Sequence, residues 1–522
     1  MRCLTLCCLL AFAATAQQRP KEWNHTCNVR DYGARGVREE RATQAIQAAI
    51  DACAAAGGGR VVLPPGAYTS GALLLKDNID LHVEAGAVLF SSRADEDFPE
   101  GRRALVNSDG ASRIALTGRG VIDGQSRYEY GEMRGVDSII AEETENARKA
   151  GVDMRRYQHA GPATYLVRLR NSADVFIEDI SLVNSQFWTL RLDLCERVRI
   201  RGVYIYSDLE KAVNADGIDV TSSRNVVISD SVVTTADDAI CLKTEEENGA
   251  GSPTENVTVT NCVLTSSSAA FKIGSGTHAD IRHVVFSNSV IRNSNRGFGI
   301  QLFDGGTVSD ILVSNITMEL NRRHYNWWGN AEPFYILLKR RTPASRLGVV
   351  RDVVIQNVVA HARGASKFLG DPERAIESLT IRDVDVYMDP ENAKDKRAAH
   401  AFVAQRVKDL RIRSLRVHWN ERETEPLWAS ALYLSRIGVL DLNGFTGRQG
   451  LLASGAPAVV LEDVGRARVR ECVALPGSAT FFEIRGQATG KLRFEANDLA
   501  EAKRGFAFAG ADLRKRVTTG IQ

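Results

Sequence analysis

Beyond its first residues the sequence has no apolar run near the roughly 18 residues that span a membrane. Nothing along its 522 residues has the composition of an interdomain linker, so the soft expectation of about 150 residues per domain finds no boundaries to attach to. Charge of one sign is missing too. Lys and Arg number 66 against 64 Asp and Glu, a formal net charge of +2, which argues against a general nucleic-acid binder, whose affinity comes from neutralising phosphates. No Cys-x-x-Cys pair and no histidine-rich cluster is present, so nothing reads as a zinc site. What is there is ordinary globular composition, 44% hydrophobic, 25% charged and 7% aromatic, which excludes disordered and collagen-like chains.

Met1-Arg2, the apolar stretch from Cys3 to Ala14 and the small triplet Ala14-Thr15-Ala16 read as a signal peptide cleaved after Ala16. The expectation is a secreted or periplasmic protein whose mature chain is residues 17–522. Its remaining cysteines, Cys27, Cys53, Cys195, Cys241, Cys262 and Cys472, are scattered singly. Buried free thiols are the simpler reading, with Cys27 and Cys53 the one pair worth testing as a disulfide.

Internal repetition organises the rest. The core Asp174-Val175-Phe176-Ile177 recurs as Arg197-Val198-Arg199-Ile200, Asn225-Val226-Val227-Ile228, Asn256-Val257-Thr258-Val259, His283-Val284-Val285-Phe286 and Asp310-Ile311-Leu312-Val313. The second positions are separated by 23, 28, 31, 27 and 27 residues, with further copies at Val353, Leu379 and Leu410. Each unit alternates β-branched and polar residues and ends in Asn, Asp, Ser or Gly, the chemistry of a short strand and a turn. Such a unit buries its apolar face only by stacking on its neighbours, which predicts one all-β solenoid, a parallel β-helix. Residues 43–57 place Ile46, Ala49, Ile50 and Cys53 on one helical stripe, an N-terminal cap for the solenoid's open end. Residues 128–165 interrupt the repeat, with a surface helix expected at 138–151. Active-site coils are expected at about 170–320, and weaker coils with a C-terminal cap at about 370–522, where a small separate β domain is the alternative.

Stacking turns register into proximity, because equivalent positions on successive coils lie about 4.8 Å apart. Aligning Ile218 of Asn214-Ala215-Asp216-Gly217-Ile218-Asp219 with Ile240 of Ala236-Asp237-Asp238-Ala239-Ile240 sets Asp216 beside Asp238, with Asp237 next to both. An isolated Asp here would merely decorate a turn. Three together do not ionise freely, so at least one keeps its proton beside an ionised neighbour, the requirement of glycoside hydrolysis.

These two segments resemble the first two signatures of glycoside hydrolase family 28, the polygalacturonase-like enzymes. Asn28-Val29-Arg30-Asp31-Tyr32-Gly33-Ala34, the cap helix and Leu63-Pro64-Pro65-Gly66-Ala67-Tyr68 add to the likeness, which covers roughly residues 28–320. The resemblance implies a right-handed pectin-lyase-like β-helix and inverting hydrolysis of a pectic or related polysaccharide or oligosaccharide. By matching position, Asp237 is the general acid, Asp216 and Asp238 hold and deprotonate water, and Asn214 orients substrate. No metal or organic cofactor is implied, and a monomer is expected. Two signatures depart from the family. The histidine position of Gly-His-Gly is Ala269, and Arg-Ile-Lys corresponds to Gly299-Ile300-Gln301, which leaves the substrate open.

With Phe271, Ile273, Phe298 and Ile300 inward, Lys272 points outward and Arg296 joins the row of Asp216, Asp238 and Ala269. Lys272 and Arg296, with Lys243, are expected to rebuild a cationic subsite, and Gln301 is a further substrate contact. The 42-residue interval between Ile311 and Val353 holds His324-Tyr325-Asn326-Trp327-Trp328-Gly329. We expect a loop over the cleft, its tryptophans stacking on sugar and His324 supplying an imidazole. His278 and His283 are weaker candidates. Asn24, Asn256 and Asn315 head sequons, but the latter two fall at turn positions that favour Asn for backbone reasons. The rival readings are a lyase or uronate epimerase on the same fold, with calcium-binding acids and a Lys or Arg base, and a non-catalytic carbohydrate-binding solenoid.

Overall fold

The computed structural model describes residues 25–126, 163–249, 251–323 and 329–520, with Trp23 and the short pieces 130–132, 145, 148, 151 and 157–159. The signal-peptide segment, Asn24, His324, Trp327, Trp328 and most of 138–151 lie outside the described residues.

The repeat positions of the sequence are the stacked positions of the structure. Val175 faces Val198, Val198 faces Val226, and the series continues through Val257, Val284, Ile311, Val353, Leu379 and Leu410, always in parallel pairs. The chain is a right-handed parallel β-helix. Its interior is built from these aliphatic columns and from aromatic ones: Phe271 stacks on Phe286 and Phe298 at ring separations of 4.6 and 5.9 Å.

The polar residue that opens each repeat has a backbone reason to be there. Asp174, Asn225, Asn256 and Asp310 adopt left-handed φ values of 56°, 57°, 58° and 58°, a conformation Asn and Asp tolerate best after glycine. Arg197 and His283, at 56° and 55°, occupy the same corner. Asparagine side chains stack at both corners: Asn256 donates to Asn225 at 3.0 Å where repeats open, and Asn315 to Asn288 at 2.8 Å where they close. The sequon asparagines Asn256 and Asn315 belong to two such ladders, one where repeats open and one where they close.

Helix α1, Thr43–Ala55, buries Ile46, Ala49, Ile50 and Cys53 over the first coil. All six cysteines of the predicted mature chain are buried free thiols, and the sulfurs of Cys27 and Cys53 come within 4.8 Å of each other and of the His25 ring. Within the 128–165 interruption, Tyr130–Glu132 pairs antiparallel with Tyr157–His159, apart from the main sheet. The interval between Ile311 and Val353 is not one loop. Its middle, Glu332–Leu338, enters the sheet beside Arg296–Leu302. Beyond residue 370 the coils run on without a break, through the pairs Leu410–Leu440, Val459–Phe482 and Phe482–Phe506.

The face that matters for function consists of seven consecutive parallel strands: β1 Leu190–Asp193, β2 Ile218–Thr221, β3 Ile240–Thr244, β4 Ala269–Thr277, β5 Arg296–Leu302, β6 Glu332–Leu338 and β7 Ser366–Leu369.

Candidate active site

Leu190 pairs with Ile218, Ile218 with Ile240 and Ile240 with Phe271, while Ala269 pairs with Arg296 and Arg296 with Glu332. The corner before these strands is thereby a single row reading Trp188, Asp216, Asp238, Ala269, Arg296, Glu332. Asp237 sits next to the row, and the nearest carboxylate oxygens of Asp216, Asp237 and Asp238 all lie within 4.8 Å of one another. All three residues are buried.

Each acid has a different environment. Asp238 receives hydrogen bonds from the Ser268 hydroxyl at 2.9 Å, the Ala269 amide at 3.3 Å and the Lys272 ammonium at 2.6 Å. Burial opposes its charge, but Lys272 and Lys243 outweigh that and hold its carboxyl below the ordinary range. Asp216 accepts from Lys243 at 3.0 Å, leaving its other oxygen without a hydrogen bond. Burial raises it, Lys243 restrains the rise and Asp238 adds to it. Asp237 is bonded to no cation among the described residues; one oxygen accepts the Asp238 amide at 2.9 Å. Burial, then the adjacent charges of Asp216 and Asp238, push it well above the usual carboxylate range. Its backbone carbonyl is pinned by the hydroxyls of Thr235 and Ser266 at 2.9 and 2.7 Å. The site therefore sets a carboxyl biased toward keeping its proton against one biased toward ionisation, the pattern by which a pair of carboxyls divides the roles of acid and base.

The predicted cations are all present around the trio, and each meets an acid. Lys243 bridges Asp216 and Asp219, the latter at 2.7 Å. Arg296 lies 3.4 Å from Glu332 and stacks on the Tyr335 ring at 3.9 Å. Burial opposes the charge of Glu332, but Arg296 and then Lys367 keep it below the ordinary range. Asn214 is exposed at the rim in a left-handed turn, φ 57°. Gln301 is buried on β5, opposite Gly274. His278 lies 3.7 Å from Asp304, and His283 serves the outer turn ladder through Asn256.

Several members of the site escaped the sequence reading. Trp188 stacks on Phe187 at 5.4 Å, and the Lys243 ammonium sits 3.4 Å from its ring centre. Extending the Ile218 alignment back to Leu190 would have placed Trp188 in the row of the acids. Asp219, Ser268 and Glu332 had no such signal beyond charge or hydroxyl at an outward or corner position.

Comparison with known proteins places the chain in a family. The profile of glycosyl hydrolases family 28 matches residues 53–398. The chain belongs to glycosyl hydrolase family 28. As a member it is a glycosidase. It is 25% identical over 394 residues to a probable polygalacturonase of Vitis vinifera, covering 70% of this chain and 74% of that protein. It is 26% identical to an exo-poly-alpha-D-galacturonosidase of Dickeya chrysanthemi and 27% identical to rhamnogalacturonase A of Emericella nidulans, covering 56% of this chain and only 55% and 50% of those proteins. The solved exopolygalacturonase of Thermotoga maritima superposes with a TM-score of 0.63 at 23% identity, over 77% of this chain and 93% of its own, a likeness of fold. No helix among the described residues is long and apolar enough to cross a membrane.

Proposed function

We propose that this chain is an exported glycosidase that hydrolyses a pectic polysaccharide or oligosaccharide with inversion, Asp237 protonating the glycosidic oxygen while Asp216 and Asp238 hold and deprotonate water. The observation that carries the reading is the contrast inside the trio: Asp238 is held ionised by Lys272, while Asp237, one residue away, has no cation bonded among the described residues. The relatives' names, polygalacturonase and rhamnogalacturonase, support the substrate class. Trp188 and Phe187 offer an apolar surface for a sugar ring beside the acids, with Asn214 and Gln301 as polar contacts. Two-acid inverting sites separate their carboxyls by about 6.5–9.5 Å to admit water. Here the water is assigned to the Asp216–Asp238 pair and the proton to the third acid, so stereochemistry is measured directly.

The test is mass spectrometry of products from the mature protein on pectic and neutral oligosaccharides, with and without chelator, beside Asp237→Asn. Saturated products carrying the mass of water, indifferent to chelator and absent from the variant, are expected. Unsaturated ends lost with chelator would replace hydrolysis by elimination at a cation held by the trio, whose spacing also suits one. Sugar binding without turnover would make the site a binding groove. Proton NMR of the first-formed product should show the configuration opposite to that of the substrate; retention would replace the mechanism by double displacement.

A further inference from the structure

Cations on the cleft face are of two kinds. Those around the trio carry their own acids: Lys243 holds Asp216 and Asp219, Lys272 holds Asp238, Arg296 lies against Glu332, and Arg191 pairs with Asp193 and Glu247. A sugar carboxylate arriving there meets charges already satisfied, with Asp237 in addition. Lys367 differs. It lies on β7, level with Tyr335 on β6, which is level with Gly299 on β5 and, through it, with Lys272 on β4. It is half-buried, and no described residue forms an ion pair or hydrogen bond with its side chain. Its charge is felt by Glu332, whose oxygens are taken by Arg296 and by the Asn330 amide at 2.6 Å. Glycine at 299 makes room between Lys272 and Tyr335 for the Arg296 side chain, whose Cδ lies 3.2 Å from where a Cβ would stand.

We propose that Lys367 forms a carboxylate-binding subsite, seating a uronate residue of the bound glycan four coils beyond Asp238, roughly 19 Å along the sheet. Carboxylate recognition is thereby displaced from the point of cleavage, where the family's basic residues are replaced by Ala269, Gly299 and Gln301, to a part of the groove where a cation has no ion-paired acid among the described residues. The proposal rests on the reading of this cleft as a pectic glycan groove.

The experiment measures binding in the Asp237→Asn background, so that the chain stays intact. Calorimetry compares Lys367, Lys367→Gln and Lys367→Arg against galacturonate oligomers of increasing length and their fully methyl-esterified counterparts. Lys367→Gln should weaken the long acidic oligomers by about tenfold or more, the worth of a charge-assisted hydrogen bond. It should leave the esters and the short oligomers alone, and Lys367→Arg should restore most of the loss. Equal weakening of acid and ester, or none for the acid, overturns the proposal, as does failure of the unsubstituted Lys367 protein to bind any acidic oligomer. Failure of the hydrolysis reading shows itself separately, as oligomers that bind but are not cut by the wild-type chain.

Discussion

The outward face of β2–β4 and the outward face of the long strands Val353–Ala362, Ile376–Met388 and Phe402–Trp419 belong to the same solenoid and sit over the same kind of aliphatic core. On the long strands, inward residues are buried and outward ones reach solvent, and the charges found there, such as Asp385 with Arg416, form surface pairs. On β2–β4 the outward residues Asp219, Lys243 and Lys272 are buried too, together with the three acids of the corner. One repeat thus runs two electrostatic regimes, set by whether corners and neighbouring loops cover the outer side. In the open regime an ion pair is worth about 0–1 kcal/mol. In the covered one, a charge that loses its partner costs about 3–5 kcal/mol.

The sharpest way to break the contrast is at its centre. Asp237→Asn should lower kcat by roughly 10²–10⁴, the contribution of a positioned general acid, with substrate binding retained in calorimetry. Next, Lys272→Met strands the Asp238 charge. Urea unfolding should show a loss of about 3–5 kcal/mol. Since Lys272 holds the Asp238 carboxyl down, its removal should also move the acid limb of the kcat/KM profile to higher pH. Adding Asp238→Asn to Lys272→Met should recover stability without recovering turnover.

A smaller effect runs the other way. Asp237 has a raised folded-state pKa, so the folded protein binds its proton more tightly than the unfolded chain does. Its ionisation costs stability as pH rises from the unfolded value, about 3.9, toward the folded one. Asp237→Asn should therefore melt higher than wild type at neutral pH, with the gain disappearing below about pH 4. A constant gain across that range would mean the acid is not raised. The least effect belongs to the open face: Asp385→Ala, at the Arg416 pair, should change unfolding free energy by less than about 1 kcal/mol.

The columns Val175 to Leu410 were legible because their periodic aliphatic residues have one place to go, and a one-residue slip would expose the whole set. The row of acids was legible for the same reason: once Ile218 is laid on Ile240, Asp216 meets Asp238. Pairing between charges was not. Sequence shows that Lys272 and Arg296 share the cleft face, but whether each ends on a substrate or on Asp238 and Glu332 depends on rotamers and on which loop closes over them. Within the long interval before Val353, the apolar strand Glu332–Leu338 completes a coil, while the loop expected around His324 falls outside the described residues. Lys367 went unnoticed because a lone lysine carries no pattern; only the exhaustion of its neighbours makes it stand out.

The parallel stacking of β1–β7, whose register shifts past Leu242 between β3 and β4, gives the cleft a ruled scale. Because every coil advances the face by one fixed step, distance along a bound polymer is counted in whole turns of backbone, and the interval between Asp238 and Lys367 is an integer written into the chain. Duplicating one coil between β5 and β7 would move that mark by one graduation while leaving the chemistry at Asp237 in place. Chain-length preference in such a molecule is adjusted by copying a segment of sequence, with no new side chain required.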